Sequence, residues 1–352
     1  MNDTQWINER QQEILQLCIF AQQALSSSEI FENLEKKASL VTIKRDLAEL
    51  LGQGYLNKEG AGAGTKYTIS IEGRINTPIG LATYSEIEAD HRFTDNYYNF
   101  NFFAEYPSTV FTAQEIQKLN EAHRSYIADT KDVSETLQKK ELERFIIELS
   151  WKSSRIEGNT YTLLDTEKLI KEGVASTKNT YEETVMILNH KKAFEYILTS
   201  KSSFKSNLSL KKIQRVHEIL VNDLGIVSEP RNSRVGITGS NYLPLDMSTQ
   251  IIEAVETLCS RIDACESTYD KALLALTGLS YIQTFEDGNK RIARFITNAI
   301  LLAYGYAPLS YRSVDAEYYR EAMLVFYETQ SMVAIKDIFI EQYLFSTKNY
   351  SV

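Results

Sequence analysis

Cysteine is scarce: Cys18, Cys259 and Cys265 are the only three in 352 residues. An odd count at scattered positions offers neither a disulfide framework nor a CxxC or Cys/His metal pattern, so the thiols are expected as reduced core side chains. Long apolar runs are missing. LLALTG and the stretch 295–306 are too short or too interrupted by polar residues to cross a bilayer, and no apolar leader follows Met1. These absences predict a cytoplasmic chain with no membrane partner. A basic excess is missing as well. The net charge of -9 argues against coating nucleic acid or anionic membrane over the whole surface, and confines any such partner to a local patch. No repeat or low-complexity tract occurs. What is present is 43% apolar content, ample for cores, in a length that suits about two or three domains.

Residues 1–75 read as one unit. Ile14, Leu17, Cys18 and Ala21 repeat at helical spacing, and SSSEIFENL opens with serines able to cap a second helix. A third helix, in LVTIKRDLAELLGQGYL, places Ile43, Leu47, Leu50 and Leu51 on one face and ends at Gly52 or Gly54. YLNKEGAGAGTKYTI then reads as a hairpin with a glycine-rich tip. Three helices and a two-stranded wing predict a winged helix-turn-helix. Residues 76–139 are expected as an aromatic-rich packed connector followed by helices. Helical periodicity dominates the rest, as a core over 140–310 and C-terminal helices over 311–352. It is interrupted by EPRNSRVGITGSNYLPLD, whose Gly, Asn and β-branched residues suggest a hairpin. The predicted fold class is mainly α: a winged helix followed by an all-helical core with a β-hairpin flap.

The chemistry concentrates in YIQTFEDGNKRIAR, residues 281–294. Gly288 permits a turn that brings backbone amides to a ligand at the start of a helix. Arg291 and Arg294, three apart, share a helical face where guanidinium forks bind phosphate oxygens. Asp287 supplies a hard carboxylate suited to Mg²⁺, with a diphosphate completing the shell. The cluster describes a polyphosphate cradle.

This stretch resembles the signature of the Fic family, HxFx(D/E)GN(G/K)RxxR. Phe285, Asp287, Gly288, Asn289, Lys290, Arg291 and Arg294 match, and Gln283 stands where the family has its histidine. IQRVHEILVNDL, with His217, and the surrounding helices follow the Fic core order. The resemblance implies ATP over the loop and transfer of AMP to a hydroxyl of a target protein. It assigns Mg²⁺ to Asp287, phosphate to Gly288, Asn289, Lys290, Arg291 and Arg294, and the loop's anchor in the core to Phe285. The absent histidine is the family's general base. A carboxamide has no accessible protonation equilibrium, so Gln283 cannot take the hydroxyl's proton, and transfer is expected to lose roughly 10²–10⁴-fold while nucleotide binding survives. His217, on an amphipathic helix, reads as a packing residue.

WKSSRIEGNTYTLLDTE is similar to the family's inhibitory segment (S/T)xxxE(G/N), with Ser153, Glu157 and Gly158 in its three places. There the resemblance pairs Glu157 with Arg294 across the γ-phosphate site. The hairpin, with Gly236, Gly239 and Tyr242, resembles the flap that aligns targets by β-augmentation. TIKRDLAELLGQGYL resembles the recognition-helix region of DeoR-like regulators, which would offer Thr42, Lys44 and Arg45 to DNA, with Lys36, Lys37 and Lys66 near phosphates. Residues 1–75 carry eight basic against ten acidic residues, less basic than DNA-binding domains usually are, and the wing tip lacks an arginine. DNA, a protein partner and homodimerisation all stay open for this unit. Two functions remain: a protein adenylyltransferase scaffold lacking its base, and a nucleotide-sensing regulator working through the winged helix.

Overall fold

The structure, a computed structural model, describes residues 7–350 except 22, 36–37 and 93–95. Lys36 and Lys37 therefore lie outside the described residues. The chain divides into two compact units. One comprises Met1–Val110, Gly236–Leu243 and Glu321–Lys336; the other comprises Phe111–Val235, Pro244–Arg320 and Asp337–Val352. Residues 236–243, read from sequence with the core, thus fall in the first unit. No helix among the described residues is long and apolar enough to cross a membrane.

In the first unit, α1 (Glu9–Phe20) starts at a capping box formed by Asn8 and Gln11. Strand β1 (Leu25–Ser26) leads into α2 (Ser27–Asn33), capped by Ser26 and Glu29 in the same reciprocal manner. Ser39 caps α3 (Leu40–Gly52). Strands β2 (Leu56–Glu59) and β3 (Lys66–Ile69) pair antiparallel, Leu56 opposite Ile69, and β1 joins the other edge of β3. Ile14, Leu15, Ile30, Ile43, Leu47 and Leu50 are fully buried between the helices and sheet. At about 1.5–3 kcal/mol for each buried aliphatic, this face is a large favourable contribution to the unit. Then come α4 (Ile71–Asn76), α5 (Leu81–Ser85) and α6 (Asn101–Ala104), short helices within the aromatic stretch. Phe102, Phe103 and Tyr106 are buried, with Phe102 edge-on to both Tyr106 and Phe326.

The flap segment of this unit turns at Thr238–Gly239, closed by the Ser240 amide on the Ile237 carbonyl at 2.9 Å. Leu243 bridges to Tyr97, its N–H donating to the Asn96 carbonyl at 2.6 Å. The turn is held by Glu328, whose carboxylate is fully buried. Glu328 accepts from Ser240 Oγ at 2.7 Å, the Asn241 amide at 2.9 Å and Tyr84 Oη at 2.5 Å, and pairs with Arg92 at 3.3 Å. Four donors around one buried carboxylate satisfy a charge that would otherwise be costly to bury.

The second unit holds α7 (Ala113–Lys131), α8 (Glu135–Ile156), α9 (Leu163–Glu172), α10 (Tyr181–Ser200), α11 (Leu210–Leu220), α12 (Ser248–Ala264), α13 (Thr268–Ile282) and α14 (Asn289–Ala303). The last two helices of the chain are α15 (Ala316–Thr329) and α16 (Val333–Asn349). The mainly α class expected from the periodicity is the one found. Helices α13 and α14 pack extensively on each other and are buried almost end to end, and α14 takes the polar Asn289, Arg291, Arg294, Thr297 and Asn298 into the interior with it. The six-residue connection between them carries the sequence cluster described above.

Candidate functional site

Three devices shape the connection from Gln283 to Gly288. Asn289, the first residue of α14, brackets Phe285: its Oδ1 accepts from the Phe285 amide at 2.8 Å and its Nδ2 donates to the Phe285 carbonyl at 2.7 Å. The Phe285 ring is fully buried and stacks on His217 of α11, centroids 3.7 Å apart. Gly288 takes φ +81°, and a Cβ there would stand 2.9 Å from His217 Nε2 and 3.3 Å from Val221 Cγ1. Only glycine meets both demands.

His217 was expected merely to pack, and it also fastens the loop. Its Nε2–H donates to the Asp287 carbonyl at 2.9 Å, and Nδ1 receives Ser228 Oγ–H at 2.8 Å. This tautomer follows because a carbonyl can only accept. Burial pushes the ring's pKa down to about 4, so it stays neutral near pH 7.

The side chains of the cluster are partly self-paired. Asp287 accepts from the Gly288 amide through Oδ1 and from Arg291 Nη2 through Oδ2, at 2.5 and 2.8 Å, while remaining 65% exposed. Arg291 and Arg294 are buried, and Nη1 of each has no hydrogen-bond partner among the described residues. Lys290 is half-buried.

Helix α8 ends where the second sequence signature lies. Glu157 is its C-cap, and Gly158, at φ 96°, breaks it. Glu157 Oε1 lies 2.8 Å from Arg294 Nη2. The hydrogen bonds of Arg294 go instead to Ser153: Nε donates to Oγ and Nη2 to the carbonyl, both at 3.0 Å. The Glu157 contact is thus chiefly one of charge. Ser153, Glu157 and Arg294, 141 residues apart at the extremes, form one cluster.

Gln283 sits at the C-cap of α13 with φ 54° and ψ 59°, a left-handed conformation costing a β-carbon residue about 1–2 kcal/mol. Its Nε2 donates back to the Ser280 carbonyl at 2.6 Å, so the carboxamide caps its own helix. Arg231 clamps the backbone from outside. Its Nε donates to the Gln283 carbonyl at 2.6 Å, and its amide to the Thr284 carbonyl at 3.0 Å.

Residues 207–301 match the Fic/DOC family. Among curated relatives, a protein adenylyltransferase Fic of Nematostella vectensis is 26% identical over 172 residues, 48% of this chain and 40% of that protein. Its counterpart from Aedes aegypti is 27% identical over 211 residues, 56% and 42% respectively. The chain therefore spans about two fifths of the length of these relatives. Among solved structures, a Fic domain containing signaling protein from Bacteroides thetaiotaomicron superposes with a TM-score of 0.57 at 20% identity, covering 66% of this chain and 94% of that one. Fic-1 of C. elegans gives 0.59 at 17%, covering 68% and 72%. At these identities the structural likeness speaks for the Fic fold alone.

The residues expected to meet a target protein and those expected to meet DNA both lie in the first unit. Gly236 and Gly239 are exposed, but Tyr242 is buried and stacks on Tyr327, so its ring is not offered to a target. The edge at Leu243 is engaged by Asn96 and Tyr97 of the same chain. On α3, Lys44 and Arg45 are exposed, whereas Thr42 is half-buried with its hydroxyl 2.9 Å from Ser39 Oγ. Arg45 is also 3.8 Å from Glu49.

Proposed function

We propose that the loop from Gln283 to Arg294 binds Mg-ATP as in protein adenylyltransferases, and that transfer of AMP to a target hydroxyl is impaired by Gln283. The observation carrying this reading is the pair of buried guanidinium nitrogens, Arg291 Nη1 and Arg294 Nη1, left without partners beside an N-terminal helix turn. Buried donors without acceptors call for a ligand, and phosphate oxygens fit them. Among the described residues no cluster of three or more His, Cys, Asp or Glu side chains is set to hold a metal. A Mg²⁺ would therefore take Asp287 as its protein ligand and complete its shell from phosphate and water, the habit of that ion. Bound Mg-ATP would supply the electrophilic α-phosphorus and the diphosphate leaving group. Asn289 and His217 keep the loop in register for it, and Arg291 exchanges Asp287 for phosphate. Glu157 obstructs the outer phosphate by holding Arg294, the inhibitory reading of the SxxxEG segment. Titration calorimetry tests the binding: parent protein should take up Mg-ATP and Arg291→Ala should lose at least tenfold in affinity. Equal affinity in both would remove the phosphate site.

A second reading concerns residues 1–75. Three helices and an antiparallel sheet in winged-helix order, with Lys44 and Arg45 exposed on α3, favour a DNA contact over the acidic background of the unit. Such binding should weaken steeply with salt. A fragment of this unit that shifts no promoter DNA at low ionic strength would leave a protein partner or a second copy of the chain as its occupant.

A further inference from the structure

We propose that His190 is a positioning residue that fixes the hydroxyl of Ser153 on Arg294, so that the arginine is tethered at three points and not by Glu157 alone. The inference rests on the Mg-ATP reading of Arg294 and adds to it a residue outside both sequence signatures.

The direction of each hydrogen bond follows from its chemistry. His190, on α10, has Nδ1 2.6 Å from the Met186 carbonyl. A carbonyl has only lone pairs, so Nδ1 carries the hydrogen. The ring is fully buried, and burial, with Arg291 and Arg294 nearby, pushes its pKa down to about 3. It is neutral, and Nε2 is a bare acceptor. Ser153 Oγ lies 3.1 Å from that nitrogen and must donate to it. With its hydrogen committed, the hydroxyl turns a lone pair to Arg294 Nε at 3.0 Å. The relay runs one way, from Arg294 through Ser153 to His190, and His190 in turn donates to Met186. Phe295, edge-on to the imidazole at 5.1 Å, fixes the ring plane.

Ser153 alone would not be so oriented. Without an acceptor at His190, the buried O–H must turn to another acceptor, such as a carbonyl one turn back in α8, and the lone pair facing the guanidinium is no longer fixed. The relay also means that removing the Glu157 carboxylate leaves Arg294 bound to Ser153 Oγ and to the Ser153 carbonyl. Release of the arginine to phosphate is then only partial.

The test uses the full chain and five variants: Glu157→Gly, Ser153→Ala, His190→Leu, His190→Gln and the double change Ser153→Ala with His190→Leu. Two readouts are taken, Mg-ATP affinity by calorimetry and amide hydrogen exchange over residues 153–159. If His190 acts through Ser153, His190→Leu and Ser153→Ala each tighten Mg-ATP by about 3- to 10-fold and speed exchange in that segment. The double variant then does no more than Ser153→Ala, and His190→Gln, which restores an acceptor, returns to parent values. Parent-like affinity and exchange in His190→Leu, additive effects in the double variant, or failure of His190→Gln to rescue would each overturn the proposal. If no variant, Glu157→Gly included, takes up Mg-ATP, the nucleotide reading fails, and exchange alone decides whether His190 holds Ser153.

Discussion

Arg231 Nε donates to the backbone carbonyl of Gln283 at 2.6 Å, in the one turn of the α13–α14 connection where a non-glycine residue adopts left-handed geometry. Both groups are buried, and Arg231 Nη1 also donates to the Ser233 carbonyl. The arginine thus compensates the strain of the turn with charge-assisted bonds. Arg231→Ala should cost about 2–3 kcal/mol in urea unfolding, and Arg231→Lys should recover only part, since a single ammonium cannot span both carbonyls as the fork does. A loss below about 0.5 kcal/mol for Arg231→Ala would mean that the turn holds itself.

The left-handed conformation bears on the proposed role of Gln283. Histidine is enriched several-fold there, so Gln283→His should fold without loss of stability. With labelled ATP, the parent protein should show self-modification near background and Gln283→His a partial gain. Adding Glu157→Gly should raise it much further, because the proton acceptor and the seat of the outer phosphates are separate obstacles. Full activity from Gln283→His alone would refute inhibition by Glu157. Strong activity in the parent would overturn the reading of Gln283 as disabling.

Gly288→Ala places a Cβ 2.9 Å from the imidazole of His217 at a φ of +81°. Steric contact and backbone strain act together, and a destabilisation of about 2 kcal/mol or more is expected, with weaker Mg-ATP binding. Thermal unfolding and calorimetry check the two effects separately.

Acid should unfold the protein partly through His190. Burial pushes its pKa down to about 3 from the ordinary 6.5, so the neutral ring contributes its full stability above pH 6.5. That contribution is lost progressively as pH falls from about 6.5 toward 3, because the unfolded chain binds the proton that the folded one refuses. In denaturation curves taken across this range, His190→Leu should therefore show a shallower acid limb than the parent. Parallel limbs would mean that His190 is not held neutral.

Local features of the site were legible in the sequence and distant ones were not. Asp287, Gly288, Arg291 and Arg294 lie within one turn and one helix start, so their spacing already fixes which backbone and side-chain groups face each other. Ile43, Leu47 and Leu50 declared the buried face of α3 by periodicity, and all three are fully buried. His217, Arg231 and His190 were missed as shapers of the site because each reaches its partner across a large gap in sequence, 70 residues from His217 to Asp287 and 52 from Arg231 to Gln283. A buried histidine on an amphipathic helix looks the same in sequence whether it packs or donates. Tyr242 was misread for the opposite reason: a tyrosine in a polar, glycine-containing turn looks exposed until Tyr327 is seen to cover it.

Glu328 has a consequence for how the molecule breathes. By gathering Ser240 and the Asn241 amide together with Tyr84 and Arg92, it should couple opening of the flap turn to opening of the connector helices. The Gln283–Gly288 loop belongs to the other unit. Sub-global opening that frees the flap would then register as lost amide protection in residues 84–92 as well, while the α13–α14 connection keeps its own protection. The turn at Thr238–Gly239 and the α13–α14 connection would then open through two separate unfolding equilibria within one polypeptide.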